Sequence, residues 1–240
     1  MRTIWIITKR ELHSYFDSLI AYVMIVLFLG FSGFFTWIYG SDIFLVGQAS
    51  LRTFFSIAYW TLFFFIPALT MKSLAEEKRS GTLELLLTKP VSEWQLIWGK
   101  FLGSLLVIGI ALALTIPYII TLSSIGNFDL GANLMGYLGL LLMSAAYIGI
   151  GIFTSSISTN QIVAFLSALF VGLFFHIIFG VLANNMSGSL GGIFSFLDLN
   201  THFESIARGV LDTKDIIYFA SIMFVGLYMS VISLAKRNMN

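Results

Sequence analysis

Six stretches of the chain, 18–39, 54–71, 101–122, 134–155, 161–183 and 216–235, are apolar for about twenty residues each, the length an α-helix needs to cross roughly 30 Å of hydrocarbon. In lipid only a helix or a closed barrel satisfies every backbone N–H and C=O, so runs this long and this apolar predict membrane-spanning helices. Charged residues make up 10% of the 240, and the mean hydropathy is +0.93, against roughly a quarter charged in a soluble domain. The fold class that follows is an all-α polytopic membrane protein, a single transmembrane domain over 1–240. An even number of spans places both ends of the chain on one side of the bilayer.

Composition also excludes several chemistries. The sequence contains no cysteine, which rules out disulfides, thiolate metal sites and cysteine nucleophiles. The net charge of +1 by itself says nothing about nucleic acid, since what matters in such a chain is where the charges lie rather than their sum, and no nucleic-acid partner is expected. No short apolar core with a small-residue cleavage site is evident near Met1, so a removable signal peptide is not expected. No phosphate-cradling glycine loop is present either. The one Gly-Lys pair is Gly99-Lys100, and Trp94 stands where the first glycine would be needed. The spans themselves show no buried Asp, Glu, Lys or Arg with which to relay protons or bind sodium, so any work the chain does draws its energy from a partner.

Orientation follows from the basic residues. Ten Lys and Arg lie at the two ends of the chain and in the second connection, the fourth having none, whereas Arg52, Arg208 and Lys214 lie on the other side. The positive-inside rule therefore predicts both termini and the second connection in the cytoplasm.

That second connection holds the densest charge in the chain, Glu76-Glu77-Lys78-Arg79, then Ser80, Gly81 and Thr82, then Leu83, Glu84, Leu85, Leu86 and Leu87. Gly81 as N-cap with Glu84 at the third helical position predicts a brief amphipathic helix from the glycine onward, stopped by Pro90. A charge run of this kind reads either as a solvated connector or as a docking element. The run from Glu76 to Leu87, followed by Lys89-Pro90-Val91-Ser92 and Gly99-Lys100-Phe101, resembles the first cytoplasmic loop of bacterial ABC-2 type permeases.

The resemblance implies a permease subunit of an ATP-binding cassette exporter in the bacterial cytoplasmic (inner) membrane. It binds no cofactor itself, ATP and magnesium being held by a separate ABC ATPase dimer. Residues 72–100 become a coupling loop, whose helix docks on the ATPase through Leu83, Leu86 and Leu87, with Glu76, Glu77, Lys78, Arg79 and Glu84 setting register and Gly81 and Thr82 leading in. A second copy or a related permease subunit is expected to complete the substrate path. A second stretch, Phe203-Glu204-Ser205-Ile206-Ala207-Arg208-Gly209-Val210, is similar to the gliding-motility-associated group, which implies a membrane-anchored auxiliary subunit with an extracytoplasmic domain. Two rival readings stand beside this one: a non-catalytic membrane scaffold and an intramembrane hydrolase. The second is disfavoured because Ser187-Gly188-Ser189-Leu190-Gly191 misses Gly-x-Ser-x-Gly.

The remaining signals are local. Residues 1–17, with Trp5, Leu12, Tyr15 and Phe16 among basic residues, fit an interfacial amphipathic helix or the wet first turns of the first span. Ser92-Glu93-Trp94-Gln95 is a capping box opening the third span. Gly99 and Gly103 form a small-xxx-small pair able to admit a close helix, and Pro117 predicts a kink. Ser156 to Asn160 form a tight turn that is either a plain connection or an ATPase contact. His176 stands at membrane depth and reads as a hydrogen-bonded structural residue or as part of a substrate path. In the outer connection, 184–215, the box Thr201-His202-Phe203-Glu204 predicts one short helix over 202–208, and Asp212 and Asp215 are expected to cap the last span.

Overall fold

The computed structural model describes residues 2–39, 50–82, 91–126 and 129–238, and within them the regular structure is helical. Six helical stretches are long and apolar enough to cross a membrane. The protein is an all-α, multi-pass membrane protein.

Helix α1 (Arg2–Asp17) precedes the first span, α2 (Ile20–Trp37). The second span is α3 (Arg52–Thr70), which continues past a bend at Met71 as α4 (Lys72–Arg79). The third comprises α5 (Glu93–Ala113) and α6 (Ile116–Ile125), and the fourth is α7 (Leu130–Ile157). The fifth runs through α8 (Gln161–Leu173), a π-helical turn (Phe174–Ile178) and α9 (Phe179–Asn185). Two short helices, α10 (Ser189–Leu197) and α11 (Leu199–Ala207), lead to the sixth span, α12 (Thr213–Asn238).

Span α7 is the axis of the bundle. Its most apolar window is 78% buried, more than that of any other span, and it packs on α3, α5, α8, α11 and, most extensively, α12. The α7–α12 approach needs two glycines. A Cβ on Gly226 would fall 2.5 Å from the Gly149 carbonyl carbon, and one on Gly149 would fall 2.8 Å from the Met223 oxygen. Between transmembrane helices, where lipid is as apolar as leucine, such backbone proximity is a principal source of attraction.

The third span begins at the capping box read from sequence: Gln95 N–H donates to Ser92 Oγ, and Ser92 N–H to Gln95 Oε1. It bends at Leu114 and Thr115, just before Pro117, whose ring cannot accept the preceding turn. Thr115 Oγ1 donates to the Leu112 carbonyl, 2.7 Å away, and Tyr137 Oη donates to the Thr115 carbonyl at 3.3 Å, which helps to satisfy that break. Gly99 and Gly103 do admit a close helix, and it is α1. A Cβ on Gly99 would strike Ile7 at 2.5 Å, and one on Gly103 would meet Glu11 at 2.8 Å.

Three expectations are corrected here. The charged run 76–79 is not loop but the last turns of α4, which the tertiary contacts of the next section hold helical. On α1 the buried stripe is Ile7, Thr8, Glu11 and Tyr15, with Leu12 and Phe16 half-buried behind it and Trp5 exposed. A stripe at spacing four, centred on a carboxylate, is invisible to a count of apolar residues alone. In the outer connection the cap of α11 is Asp198, whose Oδ2 accepts from both N–H and Oγ1 of Thr201. The helix therefore starts three residues earlier than the Thr201 box predicts, and α10 stands before it as a further helix. Asp212 does cap the last span, accepting from Lys214 N–H, whereas Asp215 is buried elsewhere.

Candidate functional site

Helix α4 is the part of the predicted docking segment that the structure describes, and its two faces do different things. Glu76 and Arg79 are exposed, as are Gly81 and Thr82 beyond the helix. Glu77 and Lys78 turn inward. Lys78 Nζ donates to the Ser156 carbonyl oxygen at the end of α7. Glu77 Oε1 lies 2.8 Å from Lys100 Nζ and 3.3 Å from Arg10. Lys100, on α5, is only 1% exposed and also contacts Glu11 of α1 at 3.0 Å. Two cations and two carboxylates thus join α1, α4 and α5 in a formally neutral cluster. A buried charge persists only when paired in this way.

Burial by itself pushes the Glu11 carboxyl up, but Lys100 and then Arg10, by charge and hydrogen bonding, outweigh it and hold Glu11 below the ordinary carboxylate value. Nearby, Ser104 Oγ donates to the Lys100 carbonyl, so Tyr15 Oη, 2.9 Å from it, is the donor of their bond. Burial first, and then the Glu11 charge, push the Tyr15 hydroxyl up and keep it protonated for that role.

The bend between α3 and α4 is held by Ser155. Its hydroxyl accepts from the N–H groups of both Leu74 and Ala75, at 3.0 Å each, and donates to the Met71 carbonyl at 3.0 Å. These are backbone groups that a continuous helix would satisfy itself, so a side chain from α7 stands in for the broken ladder. Ser233 of α12 donates to the same Ser156 carbonyl that takes Lys78. The base of the predicted docking segment is therefore tied to α1, α5 and α7, and through the Ser156 carbonyl to α12. Gly81, at φ +71, sits in the left-handed region where glycine ends a helix most easily. Leu83, Glu84, Leu86 and Leu87, and with them the amphipathic helix expected after Gly81, lie outside the described residues.

At the opposite end, where α3, α7 and α12 begin, a cavity of about 850 Å³ lies between α3, α7, the π-turn, α9 and α11. His176 projects from the π-turn against it. Its ring stacks on Tyr59 and Phe63, with centroids 4.1 and 4.3 Å away, and its Nδ1 is 2.8 Å from Tyr147 Oη. One nitrogen of His176 is thus hydrogen-bonded inside the bundle, as its structural reading expects, and the residue also lines a cavity.

Beside the cavity, His202 and Asp215 form a buried pair at 2.6 Å, and His202 Nε2 lies 2.8 Å from the Phe196 carbonyl. A carbonyl only accepts, so Nε2 carries a proton, and the proton shared with Asp215 leaves the pair neutral wherever it resides. This neutral pair locks α10 and α11 onto α12.

The family model described as ABC-2 family transporter protein matches residues 43–235, most of the chain. The chain belongs to the ABC-2 family of transporter proteins. No curated protein matches it. As an ABC-2 transporter protein it is a permease subunit of an ABC transporter, a class that typically leaves ATP hydrolysis to an ABC ATPase partner.

Within this ABC-2 permease the predicted spans contain no charged residue, but the helices extend beyond them and bury Lys100 and Asp215, each 1% exposed and one residue outside the predicted spans 101–122 and 216–235. Both are paired, which is how such groups are tolerated on a spanning helix. The sequence did carry a trace of the first. Ile7, Glu11 and Tyr15 recur every fourth residue, and a carboxylate in that stripe calls for a buried cation. Nothing comparable announces Ser155, since one serine at the end of a serine-rich segment looks like any other.

Proposed function

We propose that the protein is the membrane half of an ATP-driven exporter, and that the segment from Glu76 to Leu87 receives the motion of its ATPase. The observation that carries this reading is the anchorage of α4: a solvated connector has no use for a buried four-charge cluster and a side-chain-stapled bend, whereas a lever requires a rigid base. On this reading α4 and the chain termini face the cytoplasm of a bacterial inner membrane. Glu76 and Arg79 supply the exposed charges for register, while Glu77 and Lys78 carry force inward to α1, α5 and α7. ATP and magnesium stay with an ATPase dimer. A second permease chain, identical or related, completes the path, and the 203–210 stretch favours the gliding-associated group with its auxiliary membrane-anchored subunit.

Burying a leucine contributes roughly 1.5–3 kcal/mol and an exposed ion pair about 0–1 kcal/mol, so Leu83 and Leu86 should dominate affinity. The test is co-purification of the ATPase with the Leu83→Asp/Leu86→Asp permease, together with hydrolysis assays in proteoliposomes. Loss of the ATPase, or hydrolysis no longer linked to transport, is expected while the spans still insert. Retention of the ATPase at wild-type level with unchanged coupled hydrolysis would refute the lever and leave a scaffold as the better reading.

A further inference from the structure

Helix α1 is buried along one stripe: Ile7 and Glu11 meet α5 at Gly99 and Gly103, and Tyr15 meets Ser104. Its far side exposes Arg2, Trp5, Ile6, Lys9, Arg10 and His13. At about 100° per residue, Arg2, Lys9 and His13 share one narrow sector, with Trp5 on one flank and Arg10 on the other, toward α4. The crossing with α5 falls within three turns of that span's start at Glu93, and Leu19 leads from α1 directly into the first span. The helix therefore lies at the level where two spans enter the bilayer. A face at that level which exposes an indole and an isoleucine beside cations suits neither water nor hydrocarbon, whereas the headgroup layer takes both.

Arg10 connects this face to α4. Its side chain is 47% exposed, and both of its ion pairs leave from one nitrogen, Nη2, at 3.0 Å from Glu11 Oε1 and 3.3 Å from Glu77 Oε1. Nε and Nη1 have no partner among the described residues. The residue also lines an open groove with His13, Ser14, Asp17 and Ser18. Asp17 is the one carboxylate of that groove and stands nearly two turns from Arg10, so the Arg10 end, beside Lys9, is positive. A phosphate diester brings one negative charge and acceptor oxygens matched to a guanidinium. Free phosphate offers nothing to Trp5 and Ile6, whereas a phospholipid offers its glycerol and acyl chains. Within the four-charge cluster the Arg10–Glu77 contact is the longest and most exposed. Such a pair gains little, because a long side chain must be held in one geometry. A phosphate that already fixes the guanidinium removes part of that cost.

We propose that α1 holds the phosphate of an anionic phospholipid through Arg10, with Lys9 and Arg2 beside it, and that the bound lipid, by fixing Arg10 on Glu77, stiffens α4. The use of this device rests on the reading of α4 as the lever of a permease. Binding and stiffening are measured without an ATPase, so their failure overturns the lipid site and leaves the lever reading standing. The full chain with a spin label at Arg79→Cys, its only cysteine, would be placed in phosphatidylcholine nanodiscs and titrated with a short-chain phosphatidylglycerol. The label's spectrum should broaden as lipid binds.

Arg10→Gln should lower the apparent affinity about tenfold, the effect of losing one charge-assisted contact. Lys9→Gln should lower it about fivefold, the usual share of one cation at an anionic surface. Lys9 pairs with no acid among the described residues, so its variant reads lipid binding without disturbing the cluster. The exposed Lys236, near the end of α12, is the control, and Lys236→Gln should leave the titration unchanged. The proposal is overturned if phosphatidylglycerol leaves the spectrum as it was or sharpens it, if inorganic phosphate or glycerol phosphate alone reproduces the broadening, or if Lys236→Gln weakens the response as much as Arg10→Gln and Lys9→Gln do.

Discussion

Lys100 shows what one buried charge demands of its neighbours. Its ammonium holds the carboxylates of Glu11 and Glu77 at 3.0 and 2.8 Å, so removing it leaves two anions with only the half-exposed Arg10 for company. Lys100→Met should therefore destabilise by about 3–5 kcal/mol, the usual consequence of breaking a buried pair from one side. Adding Glu11→Gln and Glu77→Gln should recover most of the loss, and thermal unfolding in one detergent compares all three forms. The same cluster sets a pH dependence. Because Glu11 is depressed in the folded protein, its contribution is fully present above the ordinary carboxylate pKa and is lost as pH falls through the lowered folded value. The unfolding temperature of the parent should approach that of Glu11→Gln on acidification across that window, and a constant gap between the two curves would count against the ion pair.

At the scale of elements, the bend between α3 and α4 depends on a side chain from a third helix. Ser155→Ala leaves the N–H groups of Leu74 and Ala75 without their acceptor, at about 1–3 kcal/mol for each group that stays unsatisfied. The loss falls on α4 rather than on the spans, which keep their own contacts. Since the sequence contains no cysteine, Arg79→Cys provides a unique attachment point for a spin label. Its spectrum should sharpen in the Ser155→Ala background, reporting a looser α4. An unchanged spectrum would mean that Lys78 and Glu77 suffice to hold the helix. If α4 is the lever proposed above, the same variant should also weaken ATPase coupling without releasing the ATPase, because the exposed docking residues are untouched.

For the whole molecule the decisive quantity is sidedness. Arg79 closes α4 at one end of the bundle and Ser189 opens α10 at the other, so single cysteines at these two positions report opposite faces. In intact cells a membrane-impermeant maleimide should label Ser189→Cys and leave Arg79→Cys unreacted until the membrane is opened. The reverse pattern would invert the orientation inferred from the basic residues and place the anchored helix away from any cytoplasmic ATPase.

Helices at all six apolar stretches were legible in the sequence because lipid leaves the backbone no alternative and the length of a span is a length of chain. Local chemistry with partners three or four residues away was legible too, as the Ser92–Gln95 cap and the bend before Pro117 show. The Thr201 box misled because Asp198 competes for the same N–H groups three residues upstream, and pattern alone does not rank two adjacent caps. What joins distant parts of the chain was decided only by packing. Lys100 meets Glu11 across 89 positions, Ser155 meets Leu74 across 81, and Tyr147 meets His176 across 29. A periodicity such as that of Ile7, Glu11 and Tyr15 can call for a partner but cannot name it, because each pair exists only once close helix contacts, such as those at Gly99, Gly103 and Gly149, have brought two backbones together.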